Sequence, residues 1–420
     1  MSSIRPFRAL RPQPAQAADV SAVPYDVVNA DEAAALAQGN PLSYLRVSRA
    51  EIELPADTDH YADIVYETAK ANFARLREAA PLLIEDAPAL YLYRLQMGAH
   101  VQTGIAATFA VDEYENNIIL KHEKTRKDKE DDRTRHIVEL RAQTGPVFLT
   151  YPANAGIDAL VAAATEGPSA RQPLFSFTAA DGVSHAVWPA TAEETAAIVE
   201  AFGGIGKLYI ADGHHRAASA MRSRHAIAQA GTGDAAEGKA GDGRTESEWF
   251  LAVAFPHNQM QILPYHRVIK DLNGHTAAGL LDAIRANGVD VCEGGDTPAG
   301  VGKVSIYLDG QWHCLCLAAP AADASPSDRL DVSLLHDQVL APLLGIGDPR
   351  TDKRIDFVGG IRGPKALEAA VDSGTAAVAF AMYPTQITDL MGIADAGEIM
   401  PPKSTWFEPK LRDGLLVHLI

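Results

Sequence analysis

Hydrophobic positions recur along this chain with two periods, and the changes between them outline the elements. Near the N-terminus a helical pattern is expected over 32–37, capped by Asp31 and stopped at Gly39-Asn40-Pro41. A longer one covers 61–78, with Ile64, Thr68, Ala71 and Leu76 near one face. From residue 89 the period shortens to two. Tyr91, Tyr93 and Leu95 alternate with Leu92 and Arg94, Gly98-Ala99-His100 makes a hairpin connection, and 101–111 returns as a second strand. Asn116-Asn117 turns into a short strand at 118–121. A helix through Ile137 and Leu140 leads by Gly145-Pro146 to a strand at 147–151. Thr191 and Glu194 form a capping-box pattern ahead of a helix at 196–202. An apolar run at 208–211 predicts a buried strand, Asp212-Gly213 a tight turn, and 217–224 a helix. Beyond it, strands are expected at 249–255, 304–308, 311–317 and 375–382. Asp309-Gly310 is the hairpin turn between the middle two, and helical patterns occupy 332–344 and 387–391.

This alternation predicts a mixed α/β or α+β fold in two closely packed parts. A stretch rich in Gly, Ala, Asp and Glu at 229–248 reads as a flexible insertion that divides an N-terminal part, 1–228, from a C-terminal α+β part, 249–420. The composition, 47% hydrophobic and 22% charged over 420 residues, is that of a soluble globular protein. No apolar run approaches membrane-spanning length, and the N-terminus lacks the apolar core of a signal peptide. Cys292, Cys314 and Cys316 cannot form a complete disulfide framework and lack the spacing of a zinc site, so a reduced, cytoplasmic protein is expected. A net charge of −17 argues against binding a nucleic-acid backbone.

Chemistry concentrates in Asp212-Gly213-His214-His215-Arg216. A helix N-terminus offers unpaired N–H groups and a positive dipole end, which suit phosphate, and Arg216 adds a planar cation. Asp212 stands where a carboxylate can hold Mg2+ or take a proton from a hydroxyl. Adjacent helical residues point about 100° apart, so only one of His214 and His215 faces a common ligand. Each residue also has a plainer role: Asp212 as a cap, the histidines as cover for the first helical turn. His122-Glu123-Lys124-Thr125-Arg126 leaves a strand end and adds a candidate base, Glu123, and two cations, Lys124 and Arg126. The charged residues 127–132 that follow are expected to form a lid or a solvated helix face. Asp26, after Pro24-Tyr25, is a second candidate base or metal ligand. Arg267, Lys403, Ser404 and Thr405 are further candidates for phosphate oxygens, with a surface cation and a docked terminal loop as the alternatives. Gly203-Gly204-Ile205-Gly206-Lys207 is not a Walker loop: it precedes a strand and has no Ser or Thr after the lysine.

The Asp212–Arg216 motif resembles the signature of the DUF1015 family. Val23-Pro24-Tyr25-Asp26-Val27-Val28, His122-Glu123-Lys124-Thr125, Leu263-Pro264-Tyr265-His266-Arg267 and Met400-Pro401-Pro402-Lys403-Ser404-Thr405-Trp406-Phe407 extend the resemblance over nearly the whole chain. Its Gly-x-His-Arg core is similar to the phosphate-binding element of the ParB/sulfiredoxin superfamily, which includes free-serine kinases. The resemblance implies a ParB/sulfiredoxin-like core and a phosphotransferase acting on serine or a similar hydroxylated metabolite. Pyrophosphate, ATP or ADP would be the donor and Mg2+ the metal. A phosphatase or nucleotide hydrolase, and a noncatalytic sensor of a nucleotide or phosphate ligand, remain the alternatives.

Overall fold

A computed structural model describes residues 2–79, 82–230 and 243–420. These divide into two compact units, 2–260 with 409–420, and 261–408.

The first unit is built on a nine-stranded mixed sheet. Its strands are β1 (Ile4–Arg5), β2 (Tyr91–Met97), β3 (His100–Ala110), β4 (Ile119–Leu120), β5 (Val147–Tyr151), β6 (Phe175–Thr178), β7 (Ser184–Pro189), β8 (Leu208–Asp212) and β9 (Trp249–Pro256). They lie in the order β4-β8-β5-β9-β3-β2-β7-β6, with β1 against β3. Only β4–β8 and β5–β9 pair in parallel. Burial on both faces explains why β9 reads as an unbroken apolar run and β5 as one interrupted only by Thr150, whose hydroxyl donates to the Phe255 carbonyl. At Gly104 in β3 an added Cβ would meet the Val253 and Phe255 side chains at 2.8 Å, so β9 crosses a gap only glycine leaves.

Helices α1 (Asp63–Ala79), α2 (Lys127–Leu140), α3 (Ala155–Thr165), α4 (Ala192–Phe202) and α5 (His214–Gln229) belong to the same unit. The capping box of Thr191 and Glu194 is formed at the start of α4. Asn29, not Asp31, caps the helix Ala30–Ala37, because its side chain accepts from Glu32 N–H while Glu32 reaches back to the cap. Residues 127–132 are the opening turns of α2 and not a lid. Arg222 of α5 grips Glu130 and Asp131, and the Ser219 hydroxyl donates to the Glu130 carbonyl.

Two sequence expectations about boundaries differ from the structure. Strand β9 pairs with β3 and β5, so 249–260 belongs to the first unit. Residues 409–420 return to it as well: Asp413 exchanges backbone hydrogen bonds with Ala22, and His418–Leu419 pairs with Ala142–Gln143. Of the expected insertion at 229–248, residues 231–242 lie outside the described residues. Residue 229 closes α5, and Arg244, Glu246 and Glu248 pair with Asp112, Arg5 and Arg224.

The second unit carries a six-stranded sheet of β10 (Tyr265–Ile269), β11 (Asp290–Glu293), β12 (Lys303–Leu308), β13 (Gln311–Cys316), β14 (Ile355–Gly359) and β15 (Val378–Met382). Its order is β11-β13-β12-β15-β10-β14, and every pairing is antiparallel. The β12–β13 hairpin turns on Asp309-Gly310, both at positive φ, as its two-residue loop requires. Helix α6 (Pro364–Asp372) covers one face, burying its Leu367 in a cluster with Tyr307, Trp312 and Ala379.

Candidate functional site

Strand β8 ends at Asp212 and helix α5 begins at His214, with Gly213 between them at φ 89°, ψ 32°. A side chain at Gly213 would be doubly excluded. Its backbone is left-handed, and a Cβ would sit 3.0 Å from the Arg216 guanidinium. No side chain caps the helix. The first N–H groups of α5, with the dipole's positive end behind them, have the chemistry to receive an anion.

Arg216 is almost wholly buried in the first turn of α5. One guanidinium nitrogen donates to the Pro146 carbonyl. Another lies 3.5 Å from Asp26 and 3.6 Å from Asp212. The C-terminal segment supplies Lys410, whose Nζ donates to Asp212 Oδ2 at 3.1 Å. Lys410 and Arg216 outweigh the desolvation of Asp212 and hold its carboxyl well below the usual range. The side chains of Asp26 and Asp212 keep 30% and 28% of their exposure, enough for a ligand to reach both. Arg216 keeps only 8%, so it orders these two carboxylates and has little surface left to grip a phosphate in the manner the sequence suggested.

The two histidines attach loop 122–126 to the helix start. Nε2 of His214 accepts the His122 backbone N–H at 3.4 Å, which leaves the proton of the neutral ring on Nδ1. That nitrogen faces Glu123 Oε2 at 3.7 Å. His215 accepts the Arg126 N–H at 3.0 Å. Burial keeps both rings below the ordinary histidine pKa, and the adjacent His122, buried edge-on against His214, is lowered to about 4. Both Nε2 atoms are thus committed to backbone N–H groups, and neither ring is presented to a phosphoryl group through that atom. Lys124 is exposed, and the Arg126 guanidinium is exposed and paired with Asp128 at 2.8 Å.

Behind Arg216 lies a cavity lined by Tyr25, Arg133, His136, Gln143 and Asp413. A second cavity shares Tyr25, Ser48, Arg133 and His136 and adds Glu51, His60, Tyr66 and Lys129. Arg133 stacks on Tyr25, 4.3 Å from the ring centre, and pairs with Asp132 at 2.8 Å. Asp413 is buried among Arg216, Arg133, Arg412 and Asp26. Desolvation outweighs the three cations and pushes its carboxyl up to about 7.

Lys410 and Asp413 were missed by sequence reasoning because their partners, Asp212 and Arg216, are distant in the chain. Their signal is Arg412-Asp413-Gly414, a charged pair ahead of a glycine at φ 83° whose Cβ would collide with Tyr44. Arg267, Lys403, Ser404 and Thr405 lie in the second unit, where most have structural partners. Arg267 is buried and donates to the carbonyls of Tyr265 and Lys403, and burial lowers it to about 9. The Lys403 ammonium lies over the Tyr265 ring, the Ser404 hydroxyl donates to the Pro401 carbonyl, and Thr405 is half-buried.

Fold and cluster together define a class: a mixed α/β protein with a strand–turn–helix element whose first helical turn is ringed by carboxylates and cations. The chain belongs to the DUF1015 family, "protein of unknown function", whose model matches residues 4–333. Among solved structures it is similar to a free serine kinase in complex with AMP, with 12% identity and a TM-score of 0.34, covering 72% of this chain and 86% of that one. SbnI with a C-terminal truncation from Staphylococcus aureus is 11% identical with a TM-score of 0.36, covering 75% and 87%. A conserved hypothetical protein from Pyrococcus furiosus is 14% identical with a TM-score of 0.32, covering 75% and 95%. No curated protein matches. Among the described residues no helix is long and apolar enough to cross a membrane.

Proposed function

We propose that the first-unit cluster transfers a phosphoryl group to a small hydroxylated molecule, with free serine as the acceptor and pyrophosphate or a nucleotide as the donor. The observation that carries this reading is the pair Asp26 and Asp212, held by one buried guanidinium at the uncapped start of α5. Phosphoryl transfer asks a protein for positioning and charge neutralisation, which a helix N-terminus and flanking cations supply. The acceptor and donor follow from the family resemblance.

The donor's terminal phosphate would rest on the N–H groups of α5, with Lys410 neutralising its charge. The acceptor oxygen forms the new P–O bond as the bond to the leaving phosphate breaks. Its proton would pass to Glu123, whose carboxylate lies 3.7 Å from His214 Nδ1. Asp26 and Asp212 fit Mg2+, which takes one or two protein carboxylates and completes its shell with phosphate oxygens and water. When bound, the metal would neutralise charge developing on those oxygens.

The test is to incubate the full chain with Mg2+ and serine and, separately, ATP, ADP or pyrophosphate, and to follow products by mass spectrometry. Phosphoserine is expected with at least one donor. Release of inorganic phosphate at the same rate with and without serine would make the protein a hydrolase. Tight donor binding without turnover would make it a sensor.

A further inference from the structure

The second unit gathers its three cysteines. Cys314 and Cys316 alternate on β13 and therefore share a face, and the antiparallel register sets Cys292 of the edge strand β11 directly opposite Cys314. The three sulfurs lie within 4.8 Å of one another. They stand on the same face as Ser305 and Lys303 of β12, which oppose Cys314 and Cys316. Gly294, just past β11, comes so close that an added Cβ would meet Cys314 Cβ at 2.6 Å, so the turn folds tightly over the cluster. Cys292 is exposed and the other two are half-buried, which leaves an open approach from solvent.

We propose that Cys292, Cys314 and Cys316 form a binding site for a thiophilic d10 cation, with Zn2+ as its ligand. Three cysteine sulfurs and one open position for water make a four-coordinate zinc shell. At a Zn–S distance of about 2.3 Å, the sulfurs of such a shell stand roughly 3.8 Å apart, so side-chain rotation alone closes the observed spacing. Two ligands two residues apart on one strand and a third across the ladder need no backbone movement. This arrangement is invisible in the sequence because the third ligand is brought in by strand pairing rather than by a Cys-x-x-Cys spacing. The bound ion would pin the edge strand β11 to β13.

An odd number of thiols also weighs against a purely disulfide role. Cys314 and Cys316, two positions apart in an extended strand, have Cα atoms about 6.8 Å apart, at the far limit for a disulfide. Only the Cys292–Cys314 pair could close, leaving Cys316 reduced.

The experiment uses the reduced full chain, loaded with Zn2+, dialysed and analysed for bound metal, with Cd2+ as a spectroscopic substitute. One equivalent per chain, sulfur-to-metal charge-transfer absorption from the Cd2+ form and a higher melting temperature with Zn2+ are expected. Cys292→Ser and Cys316→Ser should each weaken binding by about a hundredfold or more. Cys292 is exposed, so its serine variant tests the site even if Cys314→Ser fails to fold. Circular dichroism of each variant confirms the fold. The proposal is overturned if the reduced chain retains no Zn2+, or if both serine variants retain a full equivalent. A reduced chain that binds no metal and closes a Cys292–Cys314 disulfide on oxidation overturns it equally.

Discussion

Arg216 is best understood through the charges it separates. Removing it would leave Asp26 and Asp212 without their shared partner and Asp413 buried without the cation that acts on it most strongly. Loss of one partner from a buried ionic cluster costs roughly 3–5 kcal/mol, so Arg216→Ala should show its first effect in denaturant unfolding, before any loss of donor affinity is read. Asp413 makes a sharper test. Its folded-state pKa is about 7 against an ordinary 3.8, so the protonated form is favoured by folding. That contribution is complete below the ordinary value and is lost as pH rises towards about 7. Wild-type stability should therefore fall across this window relative to Asp413→Asn, by an amount on the order of a few kcal/mol. Parallel urea titrations of the two proteins between pH 4 and 8 measure it, and identical slopes would remove Asp413 from the account. Glu123→Gln keeps the shape of the side chain and removes the basic charge. It should cut turnover about a hundredfold while changing donor affinity much less. If Asp26→Asn slows turnover and Glu123→Gln does not, Asp26 is the base.

At the scale of elements, the strand–turn–helix was the most legible part of the chain. An apolar run, Asp-Gly and a set of helix formers each pointed the same way, and the helix begins at His214 as the turn requires. The roles of its residues were less legible. Two histidines beside an arginine read as ligand-facing groups, whereas their Nε2 atoms hold loop 122–126 through backbone N–H groups that no sequence pattern displays. Gly213 is the hinge of this arrangement. Gly213→Ala would place a Cβ against the Arg216 guanidinium in a backbone region costing an L-residue about 1 kcal/mol or more. The variant should lose stability and, with Arg216 displaced, lose the alignment of Asp26 and Asp212. A normal melting temperature with intact donor binding would show that the turn can relax.

For the whole molecule, what escaped the sequence is what depends on distant pairing. The boundary placed at the compositionally biased stretch fell one strand early, because composition marks a loop while strand pairing marks a unit, and β9 pairs inside the large sheet. Likewise, 409–420 was expected within the C-terminal part but completes the first unit, with Lys410 on Asp212 and His418 beside Gln143. Deleting residues 409–420 should destabilise the first unit far more than trimming an exposed end would, because it removes a paired strand and two members of the charged cluster. Limited proteolysis that cuts 2–260 faster in the truncated chain would show this.

The return of residues 409–420 also bears on synthesis. A ribosome delivers all of 2–260 and then the whole of the second unit before Lys410 emerges, and domains generally fold as they are made. During that interval the large sheet must stand with Asp212 lacking its lysine and Ala22 lacking its partner at Asp413. The first unit is therefore, for that interval, a nascent intermediate whose Asp212 gains its lysine only once residues 409–420 have emerged, and a message truncated within the second unit would yield a chain in which that pairing never forms.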